Sequence, residues 1–327
     1  MIVTDLIFLT GGIWAFKEIL KHIVLKPRRD FEYYKNDVPF KELLVSSVLA
    51  KLAYHNPKDF AITHDSILES DRELDKFLKQ HVLPKNAHHA YFYDCGSVGT
   101  QAYMWKSKGR ENTIYVVFRG TEETKDVLED LDCRRYEFEG NARIHCGFKN
   151  QFDAIKKKLG NDLLEELASG GPLGGVKSNV YFIGHSLGGA LATLATLYFH
   201  RILKAEQLSK QITVHCHTFG SPRVGDCGFV NLFSKKVDCS KVWRVHNYED
   251  PVSMIPFTCR FQHIKANSLC LGDGSKMHLY KNDTHSILRP LYNIAMINIF
   301  RPIYPHNCDV YIKKLERICH ASKRIIF

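Results

Sequence analysis

The sequence predicts an α/β protein with a mostly parallel central sheet flanked by helices. Short apolar runs that suit strands alternate with longer segments of helical period, and a G-x-S-x-G pentapeptide falls where one such strand meets one such helix. Strands separated by helices pair in parallel through right-handed crossovers.

The elements follow in order. Residues 6–16 (LIFLTGGIWAF) lack a basic region before them and have Asp5 in that place, which suits a signal peptide badly. Lys17, Glu18 and Lys21 interrupt the run short of the roughly 20 residues a bilayer span needs. Drawn as a helix, the stretch collects its polar residues on one side, so residues 1–35 read as an amphipathic arm that either packs on the protein or lies on lipid. Residues 36–327 form the main domain. Within it, 40–55 (FKELLVSSVLAKLAYH) has helical spacing and ends before Pro57, as a core helix would, and the polar segment 65–85 reads as a surface helix and loop. Residues 101–106 (QAYMWK) and 113–118 (TIYVVF), separated by the turn signal Lys108-Gly109, predict a hairpin that feeds a central strand.

A helix over 148–167 is closed by the Gly- and Pro-rich stretch 169–175. Residues 179–183 (NVYFI) suit a strand buried on both faces, and 187–203, rich in Ala, Leu and Thr, is long enough to settle helix over strand. A strand over 211–219, a helix around 228–234, a strand over 241–246 (KVWRVH) and a final helix over 309–319 complete the alternation.

Composition is that of an ordinary globular protein: 45% apolar, 24% charged and 12% aromatic. The net charge of +10 favours anionic partners, and without an Arg- or Lys-rich run or a nucleic-acid motif a membrane surface or plain solubility ranks ahead of nucleic acid. Ten cysteines without a CxxC pair argue against a zinc ribbon or thioredoxin-type centre; they read as buried thiols, with Cys259 and Cys270 able to pair if the chain is secreted. Asn282-Asp283-Thr284 is a weak glycosylation sequon. Compartment stays open, with an intracellular or membrane-surface location favoured, and nothing speaks to oligomeric state.

The pentapeptide Gly184-His185-Ser186-Leu187-Gly188 carries the chemistry. A serine at a cramped strand-to-helix turn needs neighbours two residues away without side chains, and it stands at a helix N-terminus where free N–H groups stabilise negative charge. Such a serine becomes a nucleophile only with a histidine base held by a carboxylate, in the chain order Ser, acid, His. Asp250 follows the strand 241–246 and precedes Pro251, with Glu249 and Asp273 as rivals. For the base, His306 opens the last helix, and His285 is nearly its equal. The oxyanion of a tetrahedral intermediate needs two donors; the N–H of Leu187 is one, and Thr121, after Arg119-Gly120 at the end of 113–118, fits as the second. No metal or cofactor is required. His215, Cys216 and His217 hint at a metal, but the two histidines share one face of a core strand and read as buried structural residues.

Together these residues resemble the class 3 lipases, the family of fungal triacylglycerol lipases and plant phospholipases A1. The shared blocks are YVVFRGT at 115–121, DVLEDL at 126–131, HCGF at 145–148, GHSLGGA at 184–190, FGSPR at 219–223, NYEDP at 247–251 and HNCDVY at 306–311. The resemblance implies an α/β-hydrolase catalytic domain over 36–327, with Ser186 as nucleophile, Asp250 as acid, His306 as base ahead of His285, and Thr121 with Leu187 as oxyanion donors. It further implies a lipid ester substrate and a lid at about 122–135; the net charge and the amphipathic arm add an expected contact with a membrane or lipid-droplet surface. Val127 departs from the family, which often has Trp there. The apolar stretch 287–300 (ILRPLYNIAMINIF) lies outside the shared blocks and reads as acyl-pocket lining, lipid contact or plain core.

Overall fold

The computed structural model describes residues 38–55, 72–83, 90–107, 112–121, 134–169, 177–208, 210–248, 250–256, 260–272, 277–281 and 304–321. Helix α1, Phe40–Leu52, starts after Pro39, whose carbonyl accepts from Leu43 N–H, and it buries ten of its thirteen residues. A helix buried nearly all round must bond its polar side chains: Ser47 Oγ donates to Leu44 O, and Ser46 Oγ pairs with His217 Nδ1 at 2.8 Å. The short helix α2, Arg72–Phe77, runs on through a π turn, Leu78–Val82, and buries Leu74, Leu78 and Val82, so this part of the expected surface helix has an inner face.

Strand β1, Ala90–Cys95, turns through Gly96–Val98 into β2, Thr100–Lys106, which pairs antiparallel with β3, Thr113–Phe118. The hairpin β4, Arg135–Glu139, and β5, Ala142–His145, makes a separate two-stranded sheet ahead of α3, Cys146–Ser169. Then come β6 (Ser178–His185), α4 (Leu187–Ala205), β7 (Ile212–Phe219), α5 (Cys227–Lys236), β8 (Val242–Asn247), β9 (Asn267–Leu271), β10 (Met277–Lys281) and α6 (Cys308–Ala321). The main sheet has the order β1-β2-β3-β6-β7-β8-β9-β10. Pairing is parallel from β3 to β9 and antiparallel at both margins.

The expected strands and helices of the core stand within a few residues of their expected limits. Strands β1, β4, β5, β9 and β10 were not anticipated: each is four to six residues long and is broken by polar or charged residues, where β3, no longer than β1, offers an apolar run.

One face of the sheet packs Val116, Val180, Phe182 and Val214 against α3, α4 and α5 in a continuous apolar core. The other face meets α1, and there Trp105, Tyr115, Tyr181 and His215 form a row of rings across four adjacent strands, with centroids 5.7, 5.3 and 4.3 Å apart. Pro39–Asp283 and Ile303–Phe327 form one compact unit; a second, Met1–Val38 with Thr284–Pro302, contributes only Val38 to the described residues. The arm at 1–35, the stretch 287–300 and residues 122–133 of the lid fall outside the described residues, and Arg135 begins β4. Among the described residues no helix is long and apolar enough to cross a membrane.

Candidate active site

Ser186 joins β6 to α4 with φ +58° and ψ −130°, a backbone conformation costing on the order of 1–3 kcal/mol that persists only where the surroundings impose it. The crowding that imposes it is visible at the flanking glycines. A Cβ on Gly184 would stand 2.1 Å from Gly188 O, and one on Gly188 would stand 2.2 Å from Phe118 O. Neither position admits a side chain. Leu187 is the first residue of α4, so its N–H has no acceptor within the helix.

Asp250 lies just beyond the end of β8 and is fully buried. Its Oδ2 accepts from His306 Nδ1–H at 2.8 Å and from the Tyr311 hydroxyl at 2.5 Å, and its Oδ1 accepts from Val252 N–H at 2.8 Å. Three donors converge on one carboxylate, which compensates the loss of its hydration. Because the carboxylate can only accept, the neutral His306 ring carries its proton on Nδ1 and leaves Nε2 as an acceptor. Tyr311 Oη accepts in turn from Asn247 N–H at 3.0 Å; burial first, and the neighbouring Asp250 next, push its phenol well above the usual range.

The loop carrying His306 is tied to the ends of two parallel strands. Asn247 Nδ2 donates to Pro305 O at 2.5 Å, and His185 Nε2 donates to His306 O at 2.6 Å. Ser186 N–H donates to Phe219 O, and the next residue, Gly220, packs beneath the acid and the base: a Cβ there would stand 2.6 Å from Asp250 Oδ2 and 2.9 Å from His306 Nδ1. The structure therefore brings residues 186, 250 and 306 to one rim of the sheet. The Asp250–His306 bond is closed and the Ser186–His306 bond is not; Ser186 Oγ and His306 Nε2 are both buried with no hydrogen-bond partner. Thr121, Tyr54, His185, Tyr304 and His306 line a cavity of about 300 Å³, with Lys51 and Asp309 paired at its wall.

Among the rivals, Glu249, Asp273 and His285 lie outside the described residues, as does Cys259. Sequence reasoning assigned no role to Tyr54, His185, Asn247 or Tyr311. Tyr311 closes the block HNCDVY and His185 sits inside the pentapeptide, so the signal for both was their place in a motif. For Tyr54 nothing local points to the site, since its partner is 131 residues away.

His215 and His217 lie on the α1 face of β7, and the described residues contain no group that could hold a metal ion. Burial lowers His215 to about 4, with Lys241 adding to the effect, and burial followed by His215 lowers His217 to about 3. Their folded values lie below the ordinary 6.5, so the unfolded chain binds protons that the folded chain refuses. Stability is expected to hold above about pH 6.5 and to decline as the pH falls toward about 4. Thermal unfolding across that interval tests this; a Tm that rises on acidification would contradict it.

A family model described as lipase (class 3) matches residues 115–259. The lipase of Rhizomucor miehei is 31% identical over 123 residues, which make up 37% of this chain and 32% of that protein. A triacylglycerol lipase of Arabidopsis thaliana is 28% identical over 307 residues, covering 80% of this chain and 55% of that protein. The chain thus spans about a third of the first of these relatives and about half of the second. The solved triacylglyceride lipase of Rhizomucor miehei superposes with a TM-score of 0.58 at 21% identity, over 81% of this chain and 92% of that one. The fold they share is the α/β-hydrolase fold.

Proposed function

We propose that the chain is a class 3 lipase, a serine esterase cleaving carboxylic ester bonds of lipids, of triacylglycerol lipase or phospholipase A1 type. The observation that carries this reading is the pair of buried atoms without partners, Ser186 Oγ and His306 Nε2, at the end of a closed Asp250–His306 hydrogen bond. Buried polar atoms are rarely left unpaired, and a catalytic role is one of the few reasons for it; here the two stand beside a buried carboxylate–imidazole bond.

In the proposed reaction Ser186 Oγ attacks the ester carbonyl carbon and its proton passes to His306 Nε2. Asp250 keeps the ring in the required tautomer and stabilises the imidazolium. The oxyanion is received by the N–H of Leu187 and by Thr121. On collapse His306 returns the proton to the departing alcohol, and water then repeats the sequence on the acyl-enzyme to free the fatty acid and restore Ser186. Each step uses this chain's own groups and one water molecule.

The arm at residues 1–35 and the net charge of +10 support contact with a membrane or lipid-droplet surface, beside a catalytic domain over 36–327. The test joins two measurements: release of fatty acid from emulsified long-chain acylglycerols and phospholipids, and mapping of a fluorophosphonate label. Hydrolysis that rises at the lipid–water interface, with the label on Ser186, is expected. Equal turnover of short soluble esters with no interfacial gain would instead favour an esterase for small substrates. A chain that neither labels nor hydrolyses would be a lipid-binding module.

A further inference from the structure

We infer that His185, oriented by Tyr54, is a positioning residue for His306, fixing the backbone that carries the base relative to the serine beside His185 in sequence. The inference rests on the reading of Ser186 and His306 as nucleophile and base.

His185 is buried, and its two ring nitrogens have different partners. Nε2 faces the backbone carbonyl of His306 at 2.6 Å, and a carbonyl accepts only, so Nε2 bears the proton. In a neutral ring Nδ1 must then accept, and Tyr54 Oη stands 2.8 Å away as donor. Burial first, and the proximity of His306 next, hold His185 well below the ordinary histidine range. A neutral ring matters here because its centroid lies 4.5 Å from that of His306, which becomes positive in each half of the reaction. A second cation at that distance would oppose the proton transfer.

The same hydroxyl reaches the third part of the site. A Cβ on Gly120 would stand 2.1 Å from Tyr54 Oη and 2.7 Å from His185 O, so the segment leading to Thr121 is seated against this pair. Three chain segments meet at one hydrogen-bonded ring: the turn after α1, the strand carrying Ser186, and the loop carrying His306. The pair is thus placed to set the distance from Ser186 Oγ to His306 Nε2, and a misplacement of about 1 Å costs on the order of 10²-fold in rate.

The experiment uses the full-length chain as wild type, His185→Gln, His185→Leu and Tyr54→Phe, with thermal unfolding of each, hydrolysis of a long-chain ester, and ¹⁵N spectra of histidine-labelled protein. Glutamine keeps a donor for the carbonyl and an acceptor for Tyr54; leucine keeps only bulk. Wild-type His185 is expected as the neutral Nε2–H form; Tyr54→Phe is expected to keep that tautomer, with the Nδ1 signal moved to that of an acceptor lacking its donor and kcat several-fold lower. In His185→Leu the His306 Nδ1–H signal is expected to shift or broaden and kcat to fall about 10²-fold with KM nearly constant, while His185→Gln recovers most of both. A folded His185→Leu protein with wild-type His306 signals overturns the inference. Should leucine prevent folding, an unchanged His185 Nδ1 signal and kcat in Tyr54→Phe overturn it. If the wild type fails to hydrolyse esters while the ring signals respond as described, the esterase reading fails and the positioning role stands.

Discussion

Ser186→Ala protein is expected to lose ester hydrolysis by roughly 10⁶-fold in kcat while remaining folded, the scale on which serine hydrolases depend on their nucleophile. The loss is large because the alternatives are poor. Water attacking directly would keep the oxyanion donors and the binding surface, which leave a residual acceleration of roughly 10³–10⁴ over bulk water, but it forfeits the covalent route. The Tm is expected to hold or rise, because the buried Ser186 hydroxyl makes no hydrogen bond that alanine would forfeit. Fatty-acid release and a melting curve on the same preparation check both halves. Undiminished release from a folded Ser186→Ala protein would end the assignment of this residue.

Asp250→Asn is expected to lower kcat by roughly 10⁴-fold and, in contrast, to destabilise the fold. The carboxylate accepts from His306, Tyr311 and Val252, and an amide places a donor where one of those donors already points. Turned toward Val252, the new NH₂ opposes a backbone N–H that cannot reorient. Turned toward His306, it imposes the wrong tautomer and moves the ring proton to Nε2, where the acceptor for Ser186 is needed. Either way a buried donor goes unsatisfied, at about 1–3 kcal/mol. Rates at saturating substrate and the Tm give the two effects separately. A variant that keeps wild-type turnover would remove Asp250 from the reaction.

These two residues also mark how far the sequence reads. The strand–turn–helix around Ser186 is legible because its causes are local: apolar runs of different lengths, and glycines at 184 and 188 where any Cβ would strike backbone. Asp250 was favoured over Glu249 and Asp273 by its place after a strand, and His306 could not be separated from His285 by its neighbours, because a histidine's partner across the fold leaves no trace beside it. The edge strands β1 and β10 escaped for a different reason: polar or charged residues break the apolar run in each.

By itself the sequence determined the alternation that makes the sheet parallel and the turn that presents Ser186, since both follow from hydrophobic period and from steric limits within a few residues. Only the tertiary structure decided which distant groups meet there. Asp250 and His306 are 56 residues apart, and Tyr54 and His185 are 131 apart. Their bonds form because the parallel order β6-β7-β8 brings the ends of three strands to one rim. Once that rim is buried, a hydrogen bond with water is no longer available, and Asp250, Tyr54 and His185 are held to the partners the fold supplies.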